Sequence, residues 1–220
     1  MPVTRPAGDT GGADPAVAAA LAAYAAGKAP ERAALTAVAA SRLLVPVVAV
    51  LAAGGDASAD NASAEKLGTE KETEMALPTL IGNDGRKAVI AFTGTDTVRR
   101  WRADARPVPV PAPRLWPAVA AEQADAVVID VAGPVPLVVE GARLRALASG
   151  APPPLPHEDP DIRAQVAAAA DDFTIEPGNE DAELTITLKA ADLATARAAA
   201  EAIAARLAPR LRRGIAIRLG

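Results

Sequence analysis

A single histidine, no cysteine and 27 carboxylates make up the reactive inventory of this chain of 220 residues. His157 stands between Pro156 and Glu158. A His–carboxylate pair is the raw material of a general base, but a base works only when held within hydrogen-bond reach of its proton. The surrounding stretch 151–160 has five prolines in ten residues and reads as a linker, so His157 is expected to be solvated there. The absence of cysteine excludes disulfides, Cys-based zinc sites, iron–sulfur clusters and thiol catalysis. A zinc site would have only His157 and carboxylates to draw on, so no metal and no cofactor is expected.

The glycine-rich stretches carry little more. Gly82-Asn83-Asp84-Gly85 lacks both the acidic ladder of a calcium loop and the Gly-Lys-Ser/Thr of a phosphate loop. Two apolar runs flank it, which makes it a hairpin turn. Gly11-Gly12 and Gly54-Gly55 are isolated pairs without a nucleotide-binding pattern. Asp84, Asp96, Arg99 and Asp130 lie near predicted strand or turn ends, where α/β proteins place ligands. They are the candidates if the chain is an enzyme or small-molecule binder with a carboxylate/Arg site. Trp101 and Trp116 each fall on a predicted helix beside arginines, with Arg99, Arg100 and Arg102 near the first and Arg114 near the second. Trp and Arg are enriched in binding hot spots, so Trp101, Trp116, Arg99 and Arg100 are the candidate contacts for a partner. The competing reading has both rings packed in a core short of aromatics. Arg210, Arg212 and Arg213 end a long predicted helix, where cations complement the dipole.

Asp14-Pro15 reads as a helix start, with Gly27 as its C-cap and Pro30 opening a second helix over 31–42. The run 43–51 is strand-like, and Pro46 within it assigns an edge or bulge. Residues 53–74 are polar, charged and aperiodic, and read as a flexible insertion. Strands at 76–81 and 87–92 precede a helix capped by Thr95. An extended Pro-alternating edge at 106–110, a helix at 113–123, strands at 126–131 and 137–140 and a helix at 141–148 follow. After the linker come a helix capped by Asp159, strands near 173–176 and 183–189, a helix over 192–212 and a last strand at 215–219. The alternation in Glu183-Leu184-Thr185-Ile186-Thr187-Leu188 is that of a half-exposed antiparallel strand.

The fold class expected is therefore α/β (α+β): a mixed-sheet N-terminal domain with helices, and a small α-β-β-α-β C-terminal unit. The domain reading is a helical extension over 1–42, a domain over 43–150 with its acidic insertion at 53–74, a linker over 151–160 and a small domain over 161–220. Alanine supplies 57 residues and aromatics only 2%, so the core must rest on Leu, Val and Ile. The Ala, Pro and Arg load points to a GC-rich bacterial genome. The insertion carries six carboxylates against Lys66 and Lys71, which equals the whole net charge of −4. A neutral body without a basic stripe argues against nucleic acid as a partner. No apolar run reaches membrane-spanning length and residues 1–12 lack a signal-peptide layout, so a cytoplasmic location is expected.

Between 43 and about 149 the chain resembles the N-terminal domain of the SseB family of bacterial proteins. The resemblance rests on an ordered series: Leu44-Val45-Pro46-Val47, the polar insertion, Leu77-Pro78-Thr79-Leu80, the Asn83-Asp84-Gly85 turn, and Ala88-Val89-Ile90-Ala91-Phe92-Thr93-Gly94. The helix bearing Trp101, Arg106-Pro107-Val108, the strand Ala124-Asp125-Ala126-Val127-Val128-Ile129-Asp130 and the closing strand–helix unit 137–147 complete it. The C-terminal unit is similar to the small second domain of many members. The resemblance implies an α/β fold with no established enzymatic activity. The expectation that follows is a non-enzymatic interaction or regulatory module with an unidentified protein partner. A small-molecule binder or enzyme is the alternative. A secretion-associated structural role, suggested by the shared family name, is a third.

Overall fold

The computed structural model describes residues 11–47, 77–82 and 85–220, so the acidic insertion at 53–74 and the turn residues Asn83 and Asp84 lie outside the described residues. The chain divides into two compact units, one of Met1–Ala18 with Val38–Ala151, the other of Ala19–Ala37 with Pro152–Gly220. The architecture is mixed α and β, with three sheets.

In the first unit, β1 (Arg42–Val47) pairs antiparallel with β4 (Arg106–Pro111). Proline chemistry sets this ladder. Leu44 exchanges both main-chain bonds with Phe92, at 2.7 and 2.8 Å, so its groups face away from β4. By strand alternation Leu43, Val45 and Val47 face β4, paired with Val110, Val108 and Arg106. Pro107, Pro109 and Pro111 therefore put all their missing donors on the free edge, as the Pro-alternating sequence predicts. The second sheet runs β2 (Thr79–Ile81), β3 (Lys87–Ala91), β5 (Ala126–Ile129) and β6 (Leu137–Glu140). Only the β3–β5 pair is parallel. One sheet face packs Ile90 and Phe92 with Leu44 and with Val98 of α3 (Thr95–Trp101). The helices α4 (Ala112–Ala121) and α5 (Gly141–Ala148) pack on each other and bury Leu115, Trp116, Val119, Leu144 and Leu147.

In the second unit, β7 (Phe173–Pro177), β8 (Leu184–Leu188) and β9 (Ile215–Leu219) form one sheet, with β8 central, antiparallel to β7 and parallel to β9. Leu184, Ile186 and Leu188 form one core with Ile162 and Val166 of α6 (Pro160–Ala167) and with Ile203 and Leu207 of α7 (Leu193–Leu207). Asp159 and Asp192 cap these two helices, their carboxylates accepting from the Asp161 and Thr195 amides at 2.8 Å each. The helix α1 (Pro15–Ala25) ends as its sequence predicts. Gly27 adopts φ +67, and the Lys28 amide bonds back to the Ala23 carbonyl at 2.8 Å. The helix α2 (Glu31–Ala39) buries Ala34, Leu35 and Val38.

Four local expectations are corrected. The stretch 183–188 is not a half-exposed antiparallel strand: β8 has a neighbour on each side and runs parallel to β9, and Glu183 and Thr185 are buried along with Leu184, Ile186 and Leu188. Thr95 does not cap α3: Gly94, in extended conformation, holds the cap position, and the Thr95 amide is taken by the Gly11 carbonyl at 2.8 Å. The long helix ends at Leu207 rather than 212, so Arg210, Arg212 and Arg213 lie beyond it. The proline stretch is not wholly extended, because Pro156–Glu158 form a 3₁₀ turn and Asp159 is buried.

Candidate functional site

The C-terminal ends of β3 and β5 are where a parallel strand pair presents a ligand crevice. Here the two chain segments leave the sheet and meet. The Asp130 amide extends the β3–β5 pairing to the Ala91 carbonyl at 2.9 Å, and Asp130 itself takes φ +51. That turn aims its buried carboxylate back at the β3 exit. One oxygen accepts the Thr93 amide at 2.9 Å and the other the Thr93 hydroxyl at 2.6 Å. The Thr93 carbonyl accepts in turn from Arg42, at 3.3 Å, and Arg42 also reaches the Gly12 carbonyl at 2.8 Å.

Two glycines let the backbone close over this point. A Cβ on Gly94 would lie 2.7 Å from the Ala13 nitrogen, so the segment around Gly12 and Ala13 sits directly on the β3–α3 turn. A Cβ on Gly133 would meet the Asp130 side chain at 2.8 Å and the Thr97 methyl at 3.2 Å. The expected crevice is thus filled by the chain's own backbone, with its carboxylate already engaged.

The carboxylate/Arg candidates do not converge. Asp130 is buried and committed to Thr93, while Asp96 and Arg99 lie exposed on α3, and no hydrogen bond or ion pair joins the three. Asp84 lies outside the described residues. Among the described residues no group of three or more His, Cys, Asp or Glu could hold a metal ion. His157 is half-buried in the 3₁₀ turn, with its Nε2 3.8 Å from a Glu158 oxygen, beyond hydrogen-bond range.

The partner-contact candidates separate into two classes. Trp116 is 2% exposed, packed in the α4 core, and its ring cannot touch a partner in this fold. Trp101 is half-buried, its ring 5.6 Å from that of Phe92 at an interplanar angle of 40°. Arg99 and Arg100 are exposed on the same helix, and Arg102, also exposed, pairs with Asp104 at 3.2 Å. Residues 99–102 therefore expose two arginines and the ion-paired Arg102 next in sequence to a half-buried Trp101.

The second unit holds a polar cluster that composition did not flag. Arg210 donates to Asp159 at 2.6 Å and to Glu31 at 3.3 Å, all three largely buried. Burial works against the Arg210 charge, but Glu31 and Asp159 outweigh it and raise its pKa. Glu183 is buried nearby, accepting from the Arg213 amide at 3.1 Å, and desolvation raises its pKa above the usual carboxylate value despite that bond. Arg212 lies over the Tyr24 ring at 5.1 Å, and the Tyr24 hydroxyl donates to the Pro209 carbonyl at 3.1 Å. The Arg210 and Arg212 side chains are thus tied to buried carboxylate and aromatic partners, while the Arg213 guanidinium donates to the Glu180 carbonyl at 2.6 Å and its amide to Glu183. Their partners lie some 30 to 190 residues away in sequence, which is why local pattern could not find them.

Among the described residues, no helix is long and apolar enough to cross a membrane. A protein-family model described as the SseB protein N-terminal domain matches residues 17–146. No curated protein and no solved structure matches the chain.

Proposed function

The chain belongs to the SseB family, whose N-terminal domain it matches over more than half its length, and on that premise we propose that it acts as a non-enzymatic, cytoplasmic protein-interaction module. The observation that carries this reading is the filled crest of the β3–β5 pair. The place where an α/β sheet would hold a substrate is spent on internal contacts between Asp130, Thr93, Arg42 and the Gly11–Gly12 backbone. What is left for recognition is a surface. The α3 segment, with the exposed Arg99 and Arg100 beside the half-buried Trp101 in sequence, has the composition of a protein contact. Its charge selects an acidic partner.

The test is affinity purification from the native cytosol with wild type, Arg99→Glu/Arg100→Glu and Trp101→Ala. A partner lost in the charge-reversed variant, with circular dichroism unchanged, supports the reading. A partner retained by both variants removes the α3 face. A turnover or small-molecule binding abolished by Asp130→Asn in a folded protein would replace the module with an enzyme or binder.

A further inference from the structure

We infer that β9 is a self-association edge, pairing antiparallel with β9 of a second copy to join two three-stranded sheets into one of six. The case begins with which main-chain groups are free. The Gly220 amide donates to the Leu188 carbonyl at 2.9 Å, so even-numbered residues of this strand face β8. Alternation then turns the N–H and C=O groups of Ile215, Ile217 and Leu219 outward. Among the described residues the strand's sole ladder is with β8.

The two edges of this sheet differ. The Lys189 amide bonds to the Asp172 carbonyl at 3.0 Å, so the outward set on β7 is Phe173, Ile175 and Pro177. Pro177 removes one outward donor, and the 3₁₀ turn at 156–158 packs beside β7. Such devices protect an edge. The strand β9 carries no proline, and its one charge, Arg218, belongs to the set that faces β8 with its main chain.

Self-pairing fits the residues in register. A two-fold axis at Ile217 sets Ile217 opposite its own copy and Ile215 opposite Leu219, each a pair that exchanges both hydrogen bonds. The outward main chains then carry apolar side chains on a common face, so the cross-strand neighbours are Ile–Ile and Ile–Leu. Arg218 falls opposite Ala216, which avoids a like-charge pair. On that same face Leu219 and Ile217 line an open apolar groove with Leu193, Arg197 and Ala200 of α7. Leu193 is 71% exposed and Leu219 51%, the two most exposed large apolar side chains of the described residues. A second copy would cover both.

The experiment is sedimentation of the full chain over a range of concentrations, with amide hydrogen exchange on the same samples. Wild type is expected to dimerise reversibly. Leu219→Lys and Leu193→Lys should each weaken the dimer at least about tenfold, because a charge at a strand edge opposes edge pairing. Leu193→Lys lies on the helix surface and leaves the sheet intact, so its effect is not one of folding. In the dimer the amides of Ile215, Ile217 and Leu219 should gain protection and lose it in both variants, while those of Ala216 and Arg218 stay protected throughout. A monomer at every concentration would overturn the inference. So would a dimer indifferent to both lysines, or one in which Ile217 exchanges as fast as in the monomer.

Discussion

Asp130 and Thr93 are joined twice, through the Thr93 amide at 2.9 Å and its hydroxyl at 2.6 Å, across the ends of two parallel strands. This pairing closes the sheet crest from inside. It uses a carboxylate in a left-handed turn, a conformation that Asp tolerates better than most residues. The same residue that could have served as a catalytic acid is instead a staple between β3 and β5.

Asp130→Ala should cost about 2–3 kcal/mol, because the buried Thr93 amide loses its acceptor together with a charge-assisted hydroxyl bond. Asp130→Asn keeps one acceptor and tolerates the turn, so its cost should be about half of that. Urea denaturation followed by circular dichroism gives both values. Equal stability of wild type and the alanine variant would show that the staple contributes nothing.

The two tryptophans should respond unequally to substitution. Trp116→Ala opens a large cavity in the α4 core and should cost about 3–5 kcal/mol. Among the described residues the buried Trp116 Nε1 has no acceptor, so Trp116→Phe also removes an unsatisfied donor and should cost well under the alanine change. Trp101→Ala, at a half-buried ring, should cost about 1–2 kcal/mol and act mainly on partner binding. Thermal melts rank the three variants. Trp101→Ala as the most destabilised would reverse the assignment.

Much of the architecture was legible because its signals are local. Asp14, Asp159 and Asp192 mark helix starts through their own side chains, and the prolines at 107, 109 and 111 mark an edge through their missing donors. The alternation of Leu184, Ile186 and Leu188 marks β8 as a strand, but not the burial of Thr185 and Glu183 beside them, which comes from its central place in the sheet. The candidate sites were less legible because they depend on which surfaces meet. Nothing near Trp116 distinguishes it from Trp101; only the packing of α4 on α5 buries it. Likewise Glu31 looks like an ordinary first-turn acid until Arg210, 179 residues later, is seen against it. Thr95 has the composition of a cap, yet the approach of Gly11 claims its amide.

Gly27 carries a requirement that no other residue meets. Its φ is +67, and an added Cβ would stand 2.8 Å from the Arg212 carbonyl oxygen. Gly27→Ala should therefore destabilise by more than about 1 kcal/mol, since the backbone strain and the main-chain clash add. A lowered Tm with unchanged helix content at low temperature is the expected record, and an unchanged Tm would mean the Gly27 and Arg212 backbones can part freely.

Arg210 holds two buried carboxylates, so its removal should cost more than its own contacts suggest. Arg210→Met leaves Glu31 and Asp159 without their cation and should destabilise by about 3–5 kcal/mol. Adding Glu31→Gln and Asp159→Asn to that variant removes the stranded charges, and the triple variant should recover most of the loss. Chemical denaturation of the series provides the comparison. A triple variant no more stable than Arg210→Met would show that the stranded charge is not the cause.

Glu183 supplies the pH dependence. Desolvation raises its folded pKa above 4.5, so between that value and its folded pKa the folded chain holds a proton that the unfolded chain releases. Stability contributed by this residue is thus greatest at acid pH and is lost as pH rises through the folded pKa. The other carboxylates are common to both proteins, so the contribution of Glu183 is read as the difference between wild type and Glu183→Gln. Relative to that variant, wild type should lose stability as pH is raised from about 4 to 7. The measurement is urea denaturation of both proteins at matched pH values. A difference that stays flat, or that grows in favour of wild type with rising pH, would show that the bonds to the Glu183 carboxylate outweigh its burial.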